Sequence, residues 1–182
     1  QAAGRLRGRR VVVTAGPTRE PLDPVRFLSN RSTGKQGLAI AQAAVDAGAE
    51  VVLIAGPLEA ATPPGVERID VTDARQMEAA VIVQASGDRQ ADALVMSAAV
   101  ADFRPAETAA HKIKKSGDVP TVELARNPDI LLSVAAQDRR PRLTIGFAAE
   151  SQDLLANAQD KLARKKLDLI VANDISAPDA GF

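Results

Sequence analysis

Short runs of Val, Ile, Leu and Ala that alternate with helix-forming stretches limit the folds open to this chain more than any other feature of its sequence. The runs occupy residues 9–15, 50–55, 66–71, 91–98, 143–148 and 167–172. Helices are predicted between them at about 34–47, from Asp73, from Asn127 and over 153–166. Strands that alternate with helices pair in parallel and bury both faces of their sheet. We therefore predict an α/β fold, a Rossmann-like three-layer sandwich with a mainly parallel central sheet.

The ends of the predicted elements follow from local residue chemistry. Thr33 and Gln36 have the spacing of a capping box, and Asn127 followed by Pro128 and Asp129 is typical of a helix that Asn127 caps. Residues 16–33 contain three prolines and are predicted to form a long loop. A strand is expected over residues 119–124. The alternation of apolar and charged residues over 66–71 favours a strand near the edge of the sheet.

Length, charge and residue types narrow the classes of protein. A chain of 182 residues fits one domain, and its 23 basic and 23 acidic residues give a formal net charge of zero. That balance argues against a general nucleic-acid coat and a membrane-surface protein. No apolar stretch is long enough to cross a bilayer, so a cytoplasmic location is expected. The absence of Cys excludes disulfides and thiolate chemistry, and the single histidine, His111, excludes a multi-histidine metal site.

Polar, glycine-containing segments follow the predicted strands, and parallel sheets bind ligands at the carboxyl ends of their strands. Residues 29–37, SNRSTGKQG, run from a polar loop into a helix, whose exposed N–H groups favour an anion. The segment is not a Walker A loop, because Gln36 stands where Ser or Thr is needed, and it lacks the G-x-G-x-x-G fingerprint. A capped helix after a surface loop explains the segment equally well.

Two later segments carry charge that suits a phosphate-containing ligand. Residues 97–103 place small side chains at a strand end, with Asp102 to hold a cation or a hydroxyl and Phe103 to cover an apolar face. A turn capped by Asp102 is the alternative. Three lysines within residues 112–115 lie on a glycine-containing loop, and we predict a lysine-rich flap that closes over a polyphosphate. A solvated charge run is the simpler alternative.

The start of the third predicted helix and the end of the fourth add two weaker signals. Residues 127–131 present a second helix N-terminus, where Asp129 would repel phosphate and favours a ribose or base contact. Lys161 and Lys165 lie four residues apart on one helical face and reach the same anion. A helix start and a solvated basic helix end are the structural alternatives. Together the segments predict a pocket for an anionic, nucleotide-sized ligand, with chemistry by positioning and charge stabilisation.

The motif VTAGPTREPLDPVR at residues 13–26, followed by SNRSTGK at 29–35, closely resembles bacterial phosphopantothenoylcysteine synthetase. Similar motifs follow in order, namely AAVADF at 98–103, KIKK at 112–115, NPDI at 127–130, GFAAE at 146–150 and LDLIVAND at 167–174. The resemblance covers about residues 10–182. It implies a coenzyme A biosynthesis enzyme that is often the C-terminal half of a bifunctional protein with a decarboxylase. Residues 1–8 are then expected to be a linker or tail, and 9–182 the nucleotide-binding ligase domain.

The resemblance implies a phosphopantothenate–cysteine ligase that works in two steps. The carboxylate of 4′-phosphopantothenate attacks the α-phosphate of CTP, pyrophosphate leaves, and an acyl-cytidylate forms. The amine of L-cysteine then displaces CMP to give the amide. Mg²⁺ is implied as the cofactor and binds through the CTP phosphates, with Asp102 as a candidate contact.

The same resemblance assigns roles residue by residue. Asn30 and Lys112 are implied as catalytic, Asn30 at the carbonyl of the acyl-cytidylate and Lys112 at the transferring phosphate. The residues implied to bind CTP are Asp102, Lys112, Pro128, Asp129, Ile130, Leu131, Phe147, Lys161 and Lys165. The candidates for further phosphate contacts are Ser32, Gly34 and Gly37.

The resemblance also predicts the oligomeric state of the protein and the extent of its domain. The family's chain continues beyond the match at Gly181 and Phe182, so the C-terminal end of the domain is expected to be missing from this sequence. A homodimer is expected from the resemblance. The fold pattern leaves open an NAD(P)-dependent Rossmann oxidoreductase and a non-catalytic nucleotide-binding module, and ATP is the alternative to CTP.

Overall fold

A six-stranded parallel sheet organises the chain, of which the computed structural model describes residues 4–115, 119–150 and 154–174. In chain order the strands are β1 (Arg10–Ala15), β2 (Arg19–Pro21), β3 (Phe27–Ser29), β4 (Glu50–Ala55), β5 (Val66–Asp70), β6 (Ala93–Met96), β7 (Phe103–Pro105), β8 (Leu124–Arg126), β9 (Leu143–Glu150) and β10 (Leu169–Asp174). The large sheet has the order β10-β9-β6-β1-β4-β5, and each neighbouring pair is parallel. β5 lies at one edge, as its alternating sequence predicts.

Helices cover both faces of this sheet and complete the three layers that the sequence predicts. They are α1 (Lys35–Asp46), α2 (Ala74–Ala85), α3 (Ile130–Ala135) and α4 (Leu154–Arg164). α1 packs on one face, against β1 and β4, whereas α2, α3 and α4 lie on the other face. Among the helices that the structure describes, none is long and apolar enough to cross a membrane.

The side chains of β1 pack against the helices on both faces of the sheet. Its side chains alternate, so Val11 and Val13 join the apolar cluster beneath α1, and Val12 joins the cluster beneath α2 and α3. Each of the three is at most 5% exposed. Burying an aliphatic side chain contributes about 1.5–3 kcal/mol relative to leaving it exposed. An unbroken valine run therefore favours a strand that is covered on both faces, which is the position of β1 inside the sheet.

Two small hairpins lie where the sequence predicts other structure. Residues 16–33 are predicted to be a loop, but β2 and β3 pair antiparallel within them. The prediction of a strand over residues 119–124 is wrong, because β8 begins only at Leu124 and pairs with β7. Strands of three residues are too short to produce a periodic pattern, so their formation depends on tertiary contacts that the local sequence does not show.

The predicted capping residues of α1 and α3 are wrong. The N-cap of α1 is Gly34, at φ 72°, which has no side chain to cap the helix, and the Oγ1 of Thr33 accepts a hydrogen bond from the N–H of Lys35, not of Gln36, at 3.5 Å. The capping box of Thr33 and Gln36 is therefore absent. Asp129, and not Asn127, caps α3 by accepting a hydrogen bond from the N–H of Leu132 at 3.3 Å.

Asn127 has a different partner because a tertiary contact competes with the cap. Its side-chain amide donates to the carbonyl oxygen of Ala101 at 2.8 Å. Asp73, by contrast, caps α2 as predicted and accepts a hydrogen bond from the N–H of Gln76 at 2.8 Å. The predicted start of the fourth helix at Asp153 lies outside the described residues.

The described part of the N-terminal segment packs against the domain. The N–H of Leu6 donates to the carbonyl oxygen of Ala47, just after α1, at 2.8 Å. The Leu6 side chain packs against the cluster beneath α1. Residues 4–8, which the sequence predicts to belong to a linker or tail, are therefore in contact with α1.

Gly37 lets the first turn of α1 lie against the ends of the strands. A Cβ at this position would lie 2.5 Å from the Cβ of Ala15, 2.8 Å from the Oγ of Ser97 and 3.0 Å from the carbonyl oxygen of Thr14. Two of these three neighbours are atoms that can move only with the backbone. Packing against the sheet therefore requires glycine at position 37, whether or not Gly37 also contacts a phosphate.

We expect Gly37→Ala to lower the free energy of unfolding by about 1–2 kcal/mol, because overpacking outweighs the roughly 1 kcal/mol that alanine gains over glycine within a helix. Urea denaturation followed by circular dichroism measures this change. Ala39→Leu, at an exposed position of the same helix, is the control and should alter stability by less than about 0.5 kcal/mol. A more stable Gly37→Ala variant would contradict the packing argument.

Candidate functional site

Two clefts open side by side at the carboxyl edge of the parallel sheet. The first has a volume of about 490 Å³ and the second a volume of about 440 Å³. The residues that line both of them are Ala98, Val100, Asp102, Phe147 and Lys161. The first cleft extends over residues 126–131, and the second extends over residues 32–37. Because sheets of this kind bind ligands at this edge, the two clefts form the candidate functional site.

Two buried threonines fix the segments that form the floor of the clefts. The N–H of Ala98 donates to the Oγ1 of Thr14 at 3.1 Å, and the N–H of Ala101 donates to the Oγ1 of Thr18 at 3.0 Å. Both threonines are fully buried. The segment after β6 is thus attached at two points to the end of β1 and the segment that follows it. Asp102 comes directly after the second of these points.

The first cleft has an excess of positive charge, although the whole chain is neutral. The charged residues that line it are Arg126, Lys161, Arg164 and Lys165 on the basic side and Asp102 and Asp129 on the acidic side. Basic side chains gathered in a concave site attract anionic ligands more strongly than the same charges spread over a surface. The charge distribution of this cleft therefore suits a phosphate-containing ligand.

An ion pair joins the start of α3 to the end of α4 within the first cleft. The Nζ of Lys165 lies 3.0 Å from the carboxylate of Asp129, and the two side chains are 18% and 34% exposed. The ammonium offsets the negative charge that, on sequence grounds alone, would repel a phosphate from this helix start. Lys161, one helical turn earlier, donates a hydrogen bond to the carbonyl oxygen of Phe147.

Asn30 lines the second cleft directly after β3. Its side-chain amide donates to the carbonyl oxygen of Ala99 at 3.1 Å. This contact uses one amide hydrogen. The second N–H and the Oδ1 form no hydrogen bond with any residue that the structure describes. Asn30 is thus oriented by the protein while part of its amide is left to bind a ligand.

The lysine-rich segment is held by its backbone to the β2–β3 hairpin. The N–H of Ile113 donates to the Oδ2 of Asp23 at 3.1 Å, and the carbonyl oxygen of Ile113 accepts a hydrogen bond from the Arg26 guanidinium at 2.7 Å. We call these contacts of Asp23 and Arg26 with Ile113 the clasp. Lys112 and Lys114, on either side of Ile113, have exposed side chains.

Asp23 is a buried carboxylate with an unusual number of donors. The Arg26 guanidinium above all, and then the backbone N–H groups of Val25, Ile113 and Arg26, hold the pKa of the Asp23 carboxyl far below its usual range, although burial opposes this shift. Asp23 is therefore charged at neutral pH and remains a strong acceptor for the clasp. Ser116 and Gly117, the glycine-containing end of the predicted flap, lie outside the described residues, and the flap remains a prediction.

The structure brings together most of the predicted site residues. Those that line the first cleft are Asp102, Pro128, Asp129, Ile130, Leu131, Phe147, Lys161 and Lys165. Those that line the second are Asn30, Ser32, Gly34 and Gly37, with Asp102, Phe147 and Lys161 shared. Lys112 lines neither cleft. The roles assigned to these residues remain predictions.

Sequence reasoning missed two basic residues of the first cleft. The Cζ of Arg126 lies over the ring of Phe103, 5.8 Å from its centroid, and both side chains line the cleft. Arg164 lines the same cleft and lies three residues after Lys161, so the helical spacing already indicated that it shares that face. No comparable spacing indicates Arg126, because its contact with Phe103 depends on the pairing of β7 with β8.

Asp102 is a candidate contact for a metal ion. Within residues 4–115, 119–150 and 154–174, no group of three or more His, Cys, Asp or Glu is arranged to hold one. The exposed Asp102 carboxylate, at the boundary of the clefts, forms no hydrogen bond or ion pair with those residues. Mg²⁺ commonly binds one or two carboxylates together with substrate phosphates. Asp102 therefore fits a metal ion that binds with a phosphate ligand.

Fold and site together define a Rossmann-like α/β protein with a two-part, cation-rich cleft at the carboxyl edge of its sheet. Residues 6–182 match one family in particular, described as the DNA/pantothenate metabolism flavoprotein C-terminal domain. Because the match extends over nearly the whole chain, the chain belongs to this family.

Relatives and a solved structure agree with this membership. The chain is 50% identical over 179 residues to the Coenzyme A biosynthesis bifunctional protein CoaBC of Vibrio cholerae, a match that covers 97% of this chain and 44% of that protein. It is 48% identical over 183 residues to the protein of the same name from Bacillus subtilis, with coverage of 100% and 44%. The chain thus spans less than half the length of these relatives.

The fold has a close counterpart among solved structures. The crystal structure of the C-terminal domain of a Coenzyme A biosynthesis bifunctional protein CoaBC is 42% identical and superposes with a TM-score of 0.81. The match covers 94% of this chain and 80% of that chain. The family resemblance and the fold class that the sequence predicts are thereby confirmed.

We expect acid to destabilise the protein in part through Asp23. A carboxyl whose pKa is lowered by folding stabilises the folded state above its unfolded-state pKa and loses that contribution as the pH falls towards its folded-state pKa. The free energy of unfolding should therefore fall once the pH drops below about 4, and fall less in Asp23→Asn than in the native chain. Urea denaturation at pH 7 and pH 3 measures the difference. Glu59→Gln, at an exposed position, should follow the native chain, and equal losses in Asp23→Asn and the native chain would refute the expectation.

Proposed function

We propose that this chain is the ligase domain that joins 4′-phosphopantothenate to L-cysteine in coenzyme A biosynthesis, with CTP as the activating nucleotide. Membership of a pantothenate metabolism family supports the proposal, as do relatives named Coenzyme A biosynthesis bifunctional protein. Since the chain spans 44% of those relatives, the proposal concerns the activity of this part alone.

The adjoining clefts are the observation that carries the proposal. A ligase of this kind must hold a nucleotide beside an acid so that the reacting atoms meet. The first cleft is cation-rich and suits the nucleotide, and the second, with Asn30 and the N-terminus of α1, suits phosphopantothenate. The two clefts meet at Asp102 and Lys161, where the carboxylate would reach the α-phosphate.

In the proposed first step, a carboxylate oxygen of phosphopantothenate attacks the α-phosphorus of CTP. The bond from that phosphorus to the bridging oxygen breaks, pyrophosphate leaves, and the acyl-cytidylate forms. Negative charge gathers on the departing pyrophosphate, and fixed cations stabilise such charge strongly in a cleft with little water. Lys161 and Lys165 supply this charge from α4 and its end, and Lys112 supplies it from the segment held by the clasp.

In the proposed second step, the cysteine nitrogen attacks the acyl carbonyl carbon. The bond from that carbon to the CMP oxygen breaks and CMP leaves with the bonding electrons. The nitrogen loses a proton to solvent, and the amide forms. Asn30, attached to Ala99 through one amide hydrogen, donates its second N–H to the carbonyl oxygen as negative charge develops there. Chemistry by oriented donors suits a chain without cysteine and with a single histidine.

The cofactor and the assembly form part of the same proposal. Mg²⁺ bound to the triphosphate would neutralise charge as pyrophosphate departs, and Asp102 would hold it. The domain is proposed to act in the cytoplasm as a homodimer, fused to a decarboxylase domain in the full-length protein. Relatives that are named bifunctional and are more than twice as long support the fusion. Light scattering measures the oligomeric state.

Pyrophosphate release tests the proposed function. The chain is incubated with 4′-phosphopantothenate and Mg²⁺, with CTP, ATP or no nucleotide, and with or without cysteine. Release that requires phosphopantothenate and is faster with CTP supports the ligase. Faster release with ATP would correct the nucleotide. Binding of CTP without release would favour a nucleotide-binding module, and the absence of both would remove the support for a ligase.

We expect Lys112→Gln to slow the pyrophosphate burst by about a hundredfold or more, because a cation is lost from the charge that develops at the phosphate. Quenched-flow measurement of pyrophosphate gives the burst rate. Lys114→Gln removes another exposed lysine two residues away and is the matched control. A burst rate that is unchanged in Lys112→Gln would reject the role of Lys112.

We expect Asn30→Asp to form acyl-cytidylate but to make the amide about a hundredfold more slowly, because an acceptor replaces the N–H that stabilises the carbonyl oxygen. Mass spectrometry of quenched reactions detects the accumulated intermediate. Asn157→Asp, at an exposed position of α4, makes the same chemical change away from the clefts. Amide production at the native rate by Asn30→Asp would contradict the assignment.

A further inference from the structure

We propose that Arg104 and Asn127 are positioning residues that fix the start of α3 relative to the segment that carries Asp102. The inference rests on the proposed function and deepens it, because the start of α3 forms the wall of the first cleft that is assigned to CTP. We call residues 128–131 the α3 wall. The two positioning residues act through this wall and not on the reacting atoms.

Asn127, directly before the α3 wall, is bonded to the opposite side of the first cleft. Its side-chain amide donates to the carbonyl oxygen of Ala101 at 2.8 Å, and its backbone N–H donates to the carbonyl oxygen of Asp102 at 2.9 Å. Its Oδ1 accepts a hydrogen bond from the Nη1 of Arg104 at 3.3 Å. We call these three contacts of Asn127 the bracket. The bracket sets the separation of the two walls beside Asp102.

Arg104 holds the bracket from the β7–β8 hairpin. Its Nη1 donates to the carbonyl oxygen of Arg126 as well as to the Oδ1 of Asn127. Arg104 lies on β7 opposite Ala125, so its side chain bonds the two residues that follow Ala125 along the chain. A hydrogen bond from a charged donor is stronger than one from a neutral donor. Arg104 therefore fixes the path of the chain from β8 to the α3 wall.

The bracket requires an amide at position 127. Ala101 presents a carbonyl oxygen and Arg104 presents an N–H, so the side chain between them must donate on one side and accept on the other. An amide does both, whereas a carboxylate of the same shape only accepts. The asparagine is thus used for the bracket, and the cap of α3 is left to Asp129.

The Ala101 end of the bracket is itself anchored to the sheet. The N–H of Ala101 donates to the Oγ1 of Thr18 at 3.0 Å, and Thr18 is fully buried. Side chains therefore hold both backbone polar groups of Ala101, one from the floor of the clefts and one from the bracket. Since an unpaired buried polar group is costly, this residue is a firm point from which Asn127 can position the α3 wall.

The wall that the bracket holds carries charges that are proposed to bind the nucleotide. Asp129 caps α3 and lies 3.0 Å from the Nζ of Lys165. A shift of the wall would move this ion pair relative to Asp102, where the acid is proposed to meet the α-phosphate. A misplacement of about 1 Å can slow a reaction about a hundredfold. Loss of the bracket should therefore slow the first step while the charges that bind CTP stay together.

Amide hydrogen exchange measured by NMR tests the bracket without reference to any reaction. Arg104→Met removes a donor to Asn127, so exchange of the Asn127 backbone N–H should become at least tenfold faster. The N–H of Ala106 donates to the carbonyl oxygen of Glu123 at 2.8 Å and reports whether the β7–β8 hairpin is intact. Protection kept at Ala106 and lost at Asn127 supports the bracket. Protection kept at both, or lost at both with the whole hairpin, would overturn it.

Kinetics of Arg104→Met test the positioning role. The pyrophosphate burst should slow by about ten- to hundredfold, while the Kd for CTP, measured by calorimetry without the acid, changes less than about threefold. Arg104→Lys keeps a charged donor and should recover most of the burst rate. Arg75→Met, at an exposed position of α2, is the matched control. A role in stability alone predicts a native burst rate at a temperature at which the variant is fully folded.

Asn127→Asp tests the need for an amide, because it keeps the acceptor for Arg104 and loses the donor to Ala101. The burst should slow by about tenfold or more. When this change is combined with Arg104→Met, the second substitution should have little further effect, since both act through one wall.

The outcomes separate this inference from the function on which it rests. A native chain that gives a burst, with variants that are slowed and non-additive, supports positioning. A native chain that gives a burst, with variants that react at the native rate or slow the burst additively, overturns positioning and leaves the ligase in place. A native chain that releases no pyrophosphate under any condition overturns both.

Discussion

The hydrogen bonds that Thr14 and Thr18 accept are the contacts on which the rest of the site depends. Each buried hydroxyl meets a backbone N–H of the segment after β6, so two loops that leave neighbouring strands become one surface. A buried N–H without a partner costs about 1–3 kcal/mol, which favours this arrangement over others that the loops can adopt. Asn30 then attaches to a carbonyl of this surface at Ala99, and Asp102 extends from its end.

Two buried carboxylates, Glu20 and Asp23, hold the β2–β3 hairpin in place outside the large sheet. Glu20 and Asp23 are 2% and 3% exposed, and an isolated charge in such a position would be strongly unfavourable. Each is instead bound by backbone N–H groups, Glu20 at the start of α2 and Asp23 at its own turn and at Ile113. The requirement that buried carboxylates be hydrogen-bonded thus favours one position of the hairpin and of the Ile113 backbone beside it.

The sequence predicts the large sheet well, because its strands are decided by local composition. An aliphatic run such as that of β1 is stable only where both of its faces are buried, so its sequence alone predicts a central strand. The cap at Asp73 depends only on nearby residues. The errors have a common cause, which is competition from distant partners. Asn127 binds Ala101 and leaves the cap of α3 to Asp129, and the β2–β3 hairpin forms where only a loop is expected. The polar segments at the strand ends predict where a ligand pocket lies. They do not predict the contact of Arg126 with Phe103, which depends on the β7–β8 hairpin.

The motif from Val13 to Arg26 that most strongly indicates the family consists largely of residues that bind other parts of the protein. Its threonines, its buried glutamate and its Asp–Arg pair are all engaged in internal hydrogen bonds. Lys112, outside that motif, is exposed and has no part in the core. The clasp consists of hydrogen bonds to the backbone of Ile113. Among the residues that the structure describes, no packing contact or hydrogen bond therefore requires lysine at position 112. If Lys112 meets the charge of a ligand, as proposed, its substitution tests chemistry separately from stability.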